Sequence, residues 1–319
     1  MIVIVFTGGT ISMRHDPAAG GAVPALAGRD ILDLIPQLRD IAELEVDDFG
    51  AFPGPHMTTQ RMWALRNRIR EHLGRSEVQG VVVTHGTDSL EESAYLVARS
   101  LSSDKPVVFT GAMRTSSDLG WDGPANLGGS IRVAASDAAV ACGVVVVMSD
   151  RIFAGVDATK AHTQMLDAFE SPGLGPLGVI DDGRVVFRRA LPSAQEIIDA
   201  PELGGPVDIV FAYAGATSRL LDAARGEGQG LVVAGMGRGN VPPEMVQGIE
   251  RWIRDGKPVV MASRVLRGRV GRTYGYFGGG RKLSELGVIF GGSRRPQQAR
   301  IDLMLALGAG LDPRAVIDR

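Results

Sequence analysis

Cysteine, aromatic residues and runs of one charge are all scarce in this sequence. Cys142 is the single cysteine among 319 residues, so the chain can form no internal disulfide and gives no sign of an oxidising compartment. Lysine and arginine number 34 and aspartate and glutamate 36, for a formal net charge of -2 with no long block of either sign. Because nucleic acids and anionic membranes attract basic patches, we expect neither kind of partner.

Long apolar runs and metal-binding spacings are also missing. No apolar run approaches the ~20 residues that span a bilayer. The apolar start at residues 1–6 has no basic segment before it, so we interpret it as a first strand and expect a cytoplasmic protein. The histidines form no HxH or HxxxH pair, and with one cysteine the sequence predicts no metal site.

Short β-branched runs alternate with helical segments through the first part of the chain. The predicted strands lie at residues 2–6, at the valine run that begins at 81, and at 106–110 and 143–148. Helices are predicted at 30–38 and 61–73, and a hairpin with an Asp-Asp-Gly turn is predicted within 179–188. Alternation of this kind predicts a doubly wound parallel sheet.

The chain is long enough for two domains. Prolines and glycines cluster before residue 207, and three more strand–helix units follow, with strands at 208–213, 231–234 and 258–262 and a last helix at 297–308. We predict an N-terminal catalytic domain at 1–190, a linker at 191–207 and a smaller C-terminal α/β domain at 208–319.

The stretch from Val81 to Ala94, VVVTHGTDSLEESA, is where we place the chemistry. Its three valines are typical of a buried parallel strand. Asp88 or Ser89 is expected to cap the next helix, with a glutamate at capping-box spacing. Thr87 and Asp88 then lie at the carboxyl edge of the sheet, where open α/β sheets bind ligands. A hydroxyl beside a carboxylate at this edge suggests chemistry on a small polar molecule.

A second candidate hydroxyl follows the first strand. Gly8 and Gly9 let the backbone pass close to a ligand and leave Thr10 exposed. The turn fits neither GxGxxG nor GxxxxGK[ST], so a nucleotide site is the weaker alternative. The loop after it is rich in small residues, and we predict an irregular segment with the composition of a mobile lid.

A threonine hydroxyl is a weak nucleophile and needs a base. Lys160 is the candidate, because it follows a later strand and lies among small residues, where a partly desolvated lysine can take up a proton. Asp88 could orient this lysine or hold a substrate amine. The alternative is that Lys160 is a surface residue, as most lysines are. His85 has no partner at a useful spacing, so we interpret it as structural.

Five motifs follow one another in the first part of the chain, namely TGGTI at 7–11, THGTDSLEE at 84–92, GAMR at 111–114, DGPANL at 122–127 and DATK at 157–160. The GPLG run at 175–178 also fits, and looser matches in the C-terminal part are GMGRGN at 235–240 and SRV at 263–265. In order and spacing, these segments resemble the bacterial-type L-asparaginase/glutaminase family. The resemblance holds over residues 1–190 and is weaker beyond them.

The resemblance implies a two-domain, asparaginase-like α/β fold with a larger, flavodoxin-like N-terminal sheet. It also implies an amidohydrolase that uses no metal and no cofactor, with hydrolysis of the side-chain amide of L-asparagine to L-aspartate and ammonia as the expected reaction. Carried over position by position, Thr10 is the nucleophile, and Thr87, Asp88 and Lys160 form a hydrogen-bonded set that faces it.

The substrate-binding residues that the resemblance implies come from several turns of the chain. They are Gly9, Gly54, Pro55, Asp88, Ala112 and Asn240. Asp88 would bind a substrate α-amine. The main chain around Thr87 and Ala112 would bind the scissile amide, with an N–H group that donates to the developing oxyanion. Asn240 falls where a neighbouring subunit contributes in the family, which implies a homodimer or a homotetramer.

Two positions depart from the family pattern. Residues 14–28 contain no tyrosine, although family members usually carry one in the loop after the first threonine. No hydroxyl stands at Gly54 or Pro55, where the family's serine for the substrate α-carboxylate should fall. Loss of a hydrogen bond to a charged group costs ~1.5–3 kcal/mol. Hydrolysis of a different small amide, or ligand binding without catalysis, therefore stay as alternatives.

Overall fold

The computed structural model of the protein describes residues 1–189 and 196–318. The chain divides into two compact units, Met1–Ile197 and Ile198–Arg319. The predicted linker at 191–207 lies partly outside the described residues, so its bounds stay a prediction. No helix in the described ranges combines the length and the apolar character that crossing a membrane requires.

The first unit is built from strands and helices in alternation. Its strands are β1 (Ile2–Gly8), β2 (Met13–Asp16), β3 (Gly21–Pro24), β4 (Leu44–Phe52), β5 (Gly80–Thr84), β6 (Val107–Thr110), β7 (Val144–Met148), β8 (Arg151–Ala154), β9 (Thr159–Lys160), β10 (Phe169–Glu170), β11 (Gly178–Asp181) and β12 (Arg184–Phe187). Its α-helices are α1 (Gly28–Leu34), α2 (Thr59–Leu73), α3 (Leu90–Ser100) and α4 (Gly123–Ala134). Short 3₁₀ helices lie at Thr10–Ser12, Pro36–Asp40, Gly54–His56 and Asp137–Ala139.

Eight strands of the described part form the main sheet, in the order β12-β11-β8-β7-β6-β5-β1-β4. The pairs from β4 to β7 are parallel, and β8, β11 and β12 extend the sheet in antiparallel pairing. After β1 the chain adds β4 on one side and then β5 on the other. The sheet therefore reverses its winding between β1 and β5, which is where doubly wound sheets bind their ligands.

The parallel strands are valine-rich because both faces of this sheet are covered. Valines of β1 and β5 pack on one face against Leu65 and Ile69 of α2 and against Leu90 and Val97 of α3. Each fully buried side chain of this size contributes about 1.5–3 kcal/mol of burial free energy. The doubly wound arrangement predicted from the sequence is confirmed, with the antiparallel strands as an addition.

Two local predictions need correction, and one strand was missed. The segment predicted as an irregular lid forms the hairpin β2–β3, which pairs Met13 with Pro24 and Asp16 with Gly21. The predicted helix at 30–38 breaks at Pro36, which lacks the N–H that a continuing helix needs. The edge strand β4 escaped prediction because its half-exposed, acidic sequence LEVDDFGAF shows no strong alternation. The predicted hairpin at 179–188 is present, with Asp182 and Gly183 both at positive φ.

The second unit is a smaller parallel α/β structure. Its strands are β13 (Val207–Phe211), β14 (Gly230–Gly235), β15 (Val259–Ser263) and β16 (Ile289–Phe290), paired in that order. Its helices are α5 (Arg219–Arg225), α6 (Pro243–Arg254), α7 (Gly280–Glu285), α8 (Pro296–Gly308) and α9 (Pro313–Ile317). Trp252 of α6 is fully buried and donates its indole N–H to the Leu221 carbonyl, 2.8 Å away. Trp252 is therefore part of the core of the second unit.

Candidate active site

The turns that follow β1 and β5 touch each other along their backbones. Gly9 has a φ of +82°, and a Cβ added to it would lie 2.5 Å from the Gly86 nitrogen. Only glycine fits this approach, since both the space and the dihedral angle exclude a side chain. The contact sets the half-buried Thr10 next to the turn that carries Thr87 and Asp88.

The turns after β4 and β6 also contact the turn after β5. A Cβ on Gly86 would lie 2.5 Å from the Gly54 Cα, which belongs to the turn after β4. A Cβ on Gly111, just after β6, would lie 3.2 Å from the Thr87 Cγ2. The carboxyl ends of four neighbouring parallel strands therefore meet around Thr87.

Lys160 reaches this meeting point from outside the main sheet. Its Nζ lies 2.9 Å from the Thr87 Oγ1 and 2.6 Å from the Asp88 Oδ1. The side chains of Thr87 and Lys160 are largely shielded, with Thr87 5% exposed and Lys160 17%, whereas Asp88 is 57% exposed. The structure thus brings three of the predicted catalytic residues into direct contact. The alternative reading of Lys160 as a free surface lysine is wrong.

Ser89 is the N-cap residue of α3, one of the two positions predicted, but its hydroxyl makes no capping bond. Its Oγ instead donates to the Gly54 carbonyl, 2.7 Å away. This bond joins the turn after β4 to the turn after β5. Gly54 itself is buried, and a Cβ there would lie 3.1 Å from the Asp88 Cβ. Gly54 therefore borders Asp88, and the substrate-binding roles of Gly54 and Pro55 stay predictions.

The loop after β6 is held by two side chains of the DGPANL motif. The Asp122 carboxylate accepts hydrogen bonds from the backbone N–H groups of Met113 and Arg114, each at 2.9 Å. The Asn126 amide donates to the Gly111 carbonyl at 3.1 Å and to Asp122 at 3.0 Å. Ala112, fully buried, lies in the segment that they fix. The motif is visible in the sequence, but its positioning role depends on these hydrogen bonds, which the sequence does not show.

The hairpin β2–β3, which follows the Thr10 turn, is tied to the polar loop after β6. Both the backbone N–H and the hydroxyl of Ser116 donate to the Met13 carbonyl, and the His15 N–H donates to the Ser117 hydroxyl. These hydrogen bonds hold the segment predicted as a lid against the loop after β6. Its serine anchors carried no signal in the sequence, because an isolated Ser-Ser pair is ordinary in loops.

His85 is a neutral structural residue of the turn after β5. It is fully buried, and its Nδ1 lies 2.9 Å from the Gly86 carbonyl, which can only accept, so Nδ1 carries the proton. Its Nε2 then accepts from the Ser93 hydroxyl at 2.8 Å. The first bond lies within the turn and the second joins the turn to α3, in keeping with the structural interpretation.

We expect His85 to make the fold sensitive to acid. Burial lowers the pKa of His85 from 6.5 to about 4, although its hydrogen bond to Gly86 acts in the opposite direction. The unfolded chain then takes up a proton near pH 6.5 that the folded chain takes up only near pH 4, so stability should fall as the pH drops through that window. The full loss is roughly 3 kcal/mol.

Denaturant unfolding of the wild type and of His85→Asn between pH 7 and pH 4 measures this effect. The variant should lose less unfolding free energy over the window, since its side chain does not titrate. Equal losses in both proteins would show that His85 does not contribute.

Asn240 lies in the second unit, at a tight turn after β14. Its Oδ1 accepts a hydrogen bond from the Gly280 N–H at 3.2 Å. Its expected role across a subunit contact stays a prediction. Among residues 1–189 and 196–318, no group of three or more metal-ligating side chains comes together.

Comparison with known proteins supports the resemblance found in the motifs. Residues 1–193 match the family described as Asparaginase, N-terminal, and residues 206–318 match the Glutaminase/Asparaginase C-terminal domain. The chain belongs to the asparaginase family. Both matched domains are α/β, as the structure has them, and the family gives the chain an asparaginase-type amidohydrolase activity. The reading as a binding protein without catalysis is thereby set aside.

Several curated asparaginases are similar over nearly their whole length. The L-asparaginase of Bacillus licheniformis is 33% identical over 315 residues, covering 97% of this chain and 95% of that protein. A probable L-asparaginase of Deinococcus radiodurans is 35% identical, covering 97% and 93%. The L-asparaginase 2 of Escherichia coli is 33% identical, covering 99% and 91%.

Proposed function

We propose that this asparaginase-family hydrolase cleaves the side-chain amide of L-asparagine to give L-aspartate and ammonia. The observation that carries the proposal is the contact of the Lys160 amine with the Thr87 hydroxyl and the Asp88 carboxylate at the switch point of the sheet. The names of the similar proteins support L-asparagine as the substrate.

The proposed reaction has two steps through an ester. In the first, the Thr10 hydroxyl attacks the amide carbon, the C–N bond breaks, and the proton of the hydroxyl leaves with the nitrogen as ammonia. In the second, water adds to the ester carbon, which regenerates Thr10 and releases the acid. In each step the Lys160 amine, acting through the Thr87 hydroxyl, would relay the proton.

Two further groups support the chemistry of these steps. Backbone N–H groups around Thr87 and Ala112 would stabilise the negative charge that develops on the carbonyl oxygen. The carboxylate of Asp88 is more than half exposed, so it can bind Lys160 and still accept from a substrate ammonium group. The site therefore favours an amide that also carries an amine.

Gly54 favours a second candidate, the hydrolysis of another small amide. This residue borders Asp88 without a side-chain hydroxyl, so a free substrate carboxylate would depend on other donors. An amide that lacks the α-carboxylate could then compete with L-asparagine at the same catalytic residues.

Ammonia release from a panel of amides tests the proposal and separates these candidates. The panel contains L-asparagine, D-asparagine, L-glutamine and 3-aminopropanamide, which is asparagine without its carboxylate. We expect the highest kcat/KM with L-asparagine. Faster turnover of 3-aminopropanamide would favour the second candidate, and no ammonia from L-asparagine would refute the first.

A homodimer or homotetramer is part of the proposal, with Asn240 near the site of a neighbouring subunit. The second unit supports it, because it exposes several large apolar side chains, among them Phe211, Tyr276 and Phe277. Exposed groups of this kind often mark protein interfaces. Light scattering of the purified protein measures the assembly directly, and a monomer at working concentration would contradict the expectation.

A further inference from the structure

Lys160 has an unusual support for a residue in the centre of a site. It belongs to β9, which has two residues and pairs only with the equally short β10 in the described part of the chain. A ribbon of this size contributes little stability, because an isolated two-stranded pairing is only marginally stable in water. The position of the lysine must therefore be secured by contacts outside the ribbon.

One such contact comes from the first turn of α3. The backbone N–H of Lys160 donates to the Glu91 Oε2 at 3.0 Å. Glu91 stands one residue after the start of α3 and three residues after Asp88, so it belongs to the same rigid segment as Thr87 and Asp88. Lys160 is thus fastened to that segment twice, by its main chain at Glu91 and by its amine at Thr87 and Asp88.

We propose that Glu91 is a positioning residue, which sets the reach of the Lys160 amine to Thr87 by holding the lysine's main chain. This inference rests on the proposed function, because it gives the role of Glu91 in the same reaction. The sequence by itself explains Glu91 as a residue at capping-box spacing from Asp88 and as an acidic residue favoured in a first helical turn. The contact with Lys160 adds the second role.

The chemistry of the contact suits this role. A carboxylate that accepts from a backbone N–H forms a charge-assisted bond, which is shorter and stronger than a neutral one. Both ends of the Lys160 side chain are then fixed relative to one helix, so the amine can hold the Thr87 oxygen at 2.9 Å. Displacing a catalytic group by about 1 Å can lower a rate about 100-fold.

Kinetics of Glu91→Ala and Glu91→Gln test the proposal, with Glu71→Ala as the matched control. Glu71 lies on α2, its side chain is 70% exposed, and within the part of the chain that the structure describes its one ion pair is a long contact with Arg68 at 3.8 Å. We expect Glu91→Ala to lower kcat about 10- to 100-fold with little change in KM. The variant Glu91→Gln should recover most of kcat, because its amide oxygen can accept the same bond.

Two outcomes would overturn the proposal. One is a normal kcat in Glu91→Ala, and the other is a Glu91→Gln variant as slow as Glu91→Ala. If Glu91→Ala does not fold, Glu91→Asp replaces it. Its carboxylate is one methylene shorter, so a several-fold lower kcat is expected, and an unchanged kcat would overturn the proposal.

Limited acetylation gives a readout that does not depend on turnover. The other lysines, Lys105, Lys257 and Lys282, serve as internal references in peptide mass mapping. We expect Lys160 to react several-fold faster in the Ala or Asp variant of Glu91 and at the wild-type rate in Glu91→Gln. Unchanged reactivity would overturn the positioning role, whereas a wild type without amidase activity would refute the proposed function alone.

Discussion

Thr87→Val is expected to abolish ammonia release while leaving the fold intact. The substitution replaces the hydroxyl that lies 2.9 Å from the Lys160 Nζ with a methyl group of nearly the same size. A positioned acid–base group contributes about 100- to 10,000-fold to a rate, and we expect a loss at the upper end of that range. The measurement is kcat for L-asparagine in a coupled ammonia assay.

Two further variants show whether the effect belongs to the hydroxyl. Thr87→Ser retains the oxygen and should keep much of the activity, and Thr59→Val, as a control, removes the hydroxyl of the first residue of α2, which donates to the side chain of the adjacent Gln60 at 3.3 Å. An unchanged thermal midpoint in Thr87→Val would confirm an intact fold. Near-normal turnover in that variant would remove Thr87 from the mechanism.

Lys160→Met is expected to be inactive to a similar degree. Methionine keeps most of the length of the side chain but supplies neither the charge nor the lone pair of an amine. The stability should change little, by about 0–1 kcal/mol, because the lost ion pair involves the largely exposed Asp88. The loss of kcat, measured beside the unfolding midpoint, would then report chemistry alone.

Lys160→Arg separates the two functions that the lysine could have. Arginine keeps the positive charge but does not lose its proton in proteins. If Lys160 relays protons, Lys160→Arg should be nearly as inactive as Lys160→Met. If the arginine variant turned over L-asparagine at close to the normal rate, charge alone would suffice and the base would have to be another group.

The centre of the site could be predicted from sequence because its signals are local. Three valines ahead of Thr84-His85-Gly86 indicate a buried strand that ends in a turn, and that pattern puts Thr87 and Asp88 at the sheet edge whatever the rest of the chain does. Gly8 and Gly9 gave the same kind of signal for Thr10. Both turns are marked by an apolar run followed by glycine, a pattern that is visible in a single sequence.

The parts that could not be predicted depend on contacts between distant segments. Ser89 has the spacing of a helix cap, yet its hydroxyl bonds to Gly54, which is 35 residues away in sequence. The strand that carries Lys160 has two residues, which is too short to show an alternation of apolar and polar side chains. Lys160 and Glu91 are 69 residues apart in sequence, so their contact arises from the tertiary structure. Patterns within one segment carry no record of such partners.

An acid-quenched reaction tests most directly whether Thr10 is the nucleophile and Thr87 only relays protons. Wild-type protein is mixed briefly with L-asparagine, quenched in acid, digested and mapped by mass spectrometry. We expect an aspartyl ester on the peptide that contains Thr10 and an unmodified peptide around Thr87. An ester on Thr87, or on any residue other than Thr10, would contradict the proposed roles.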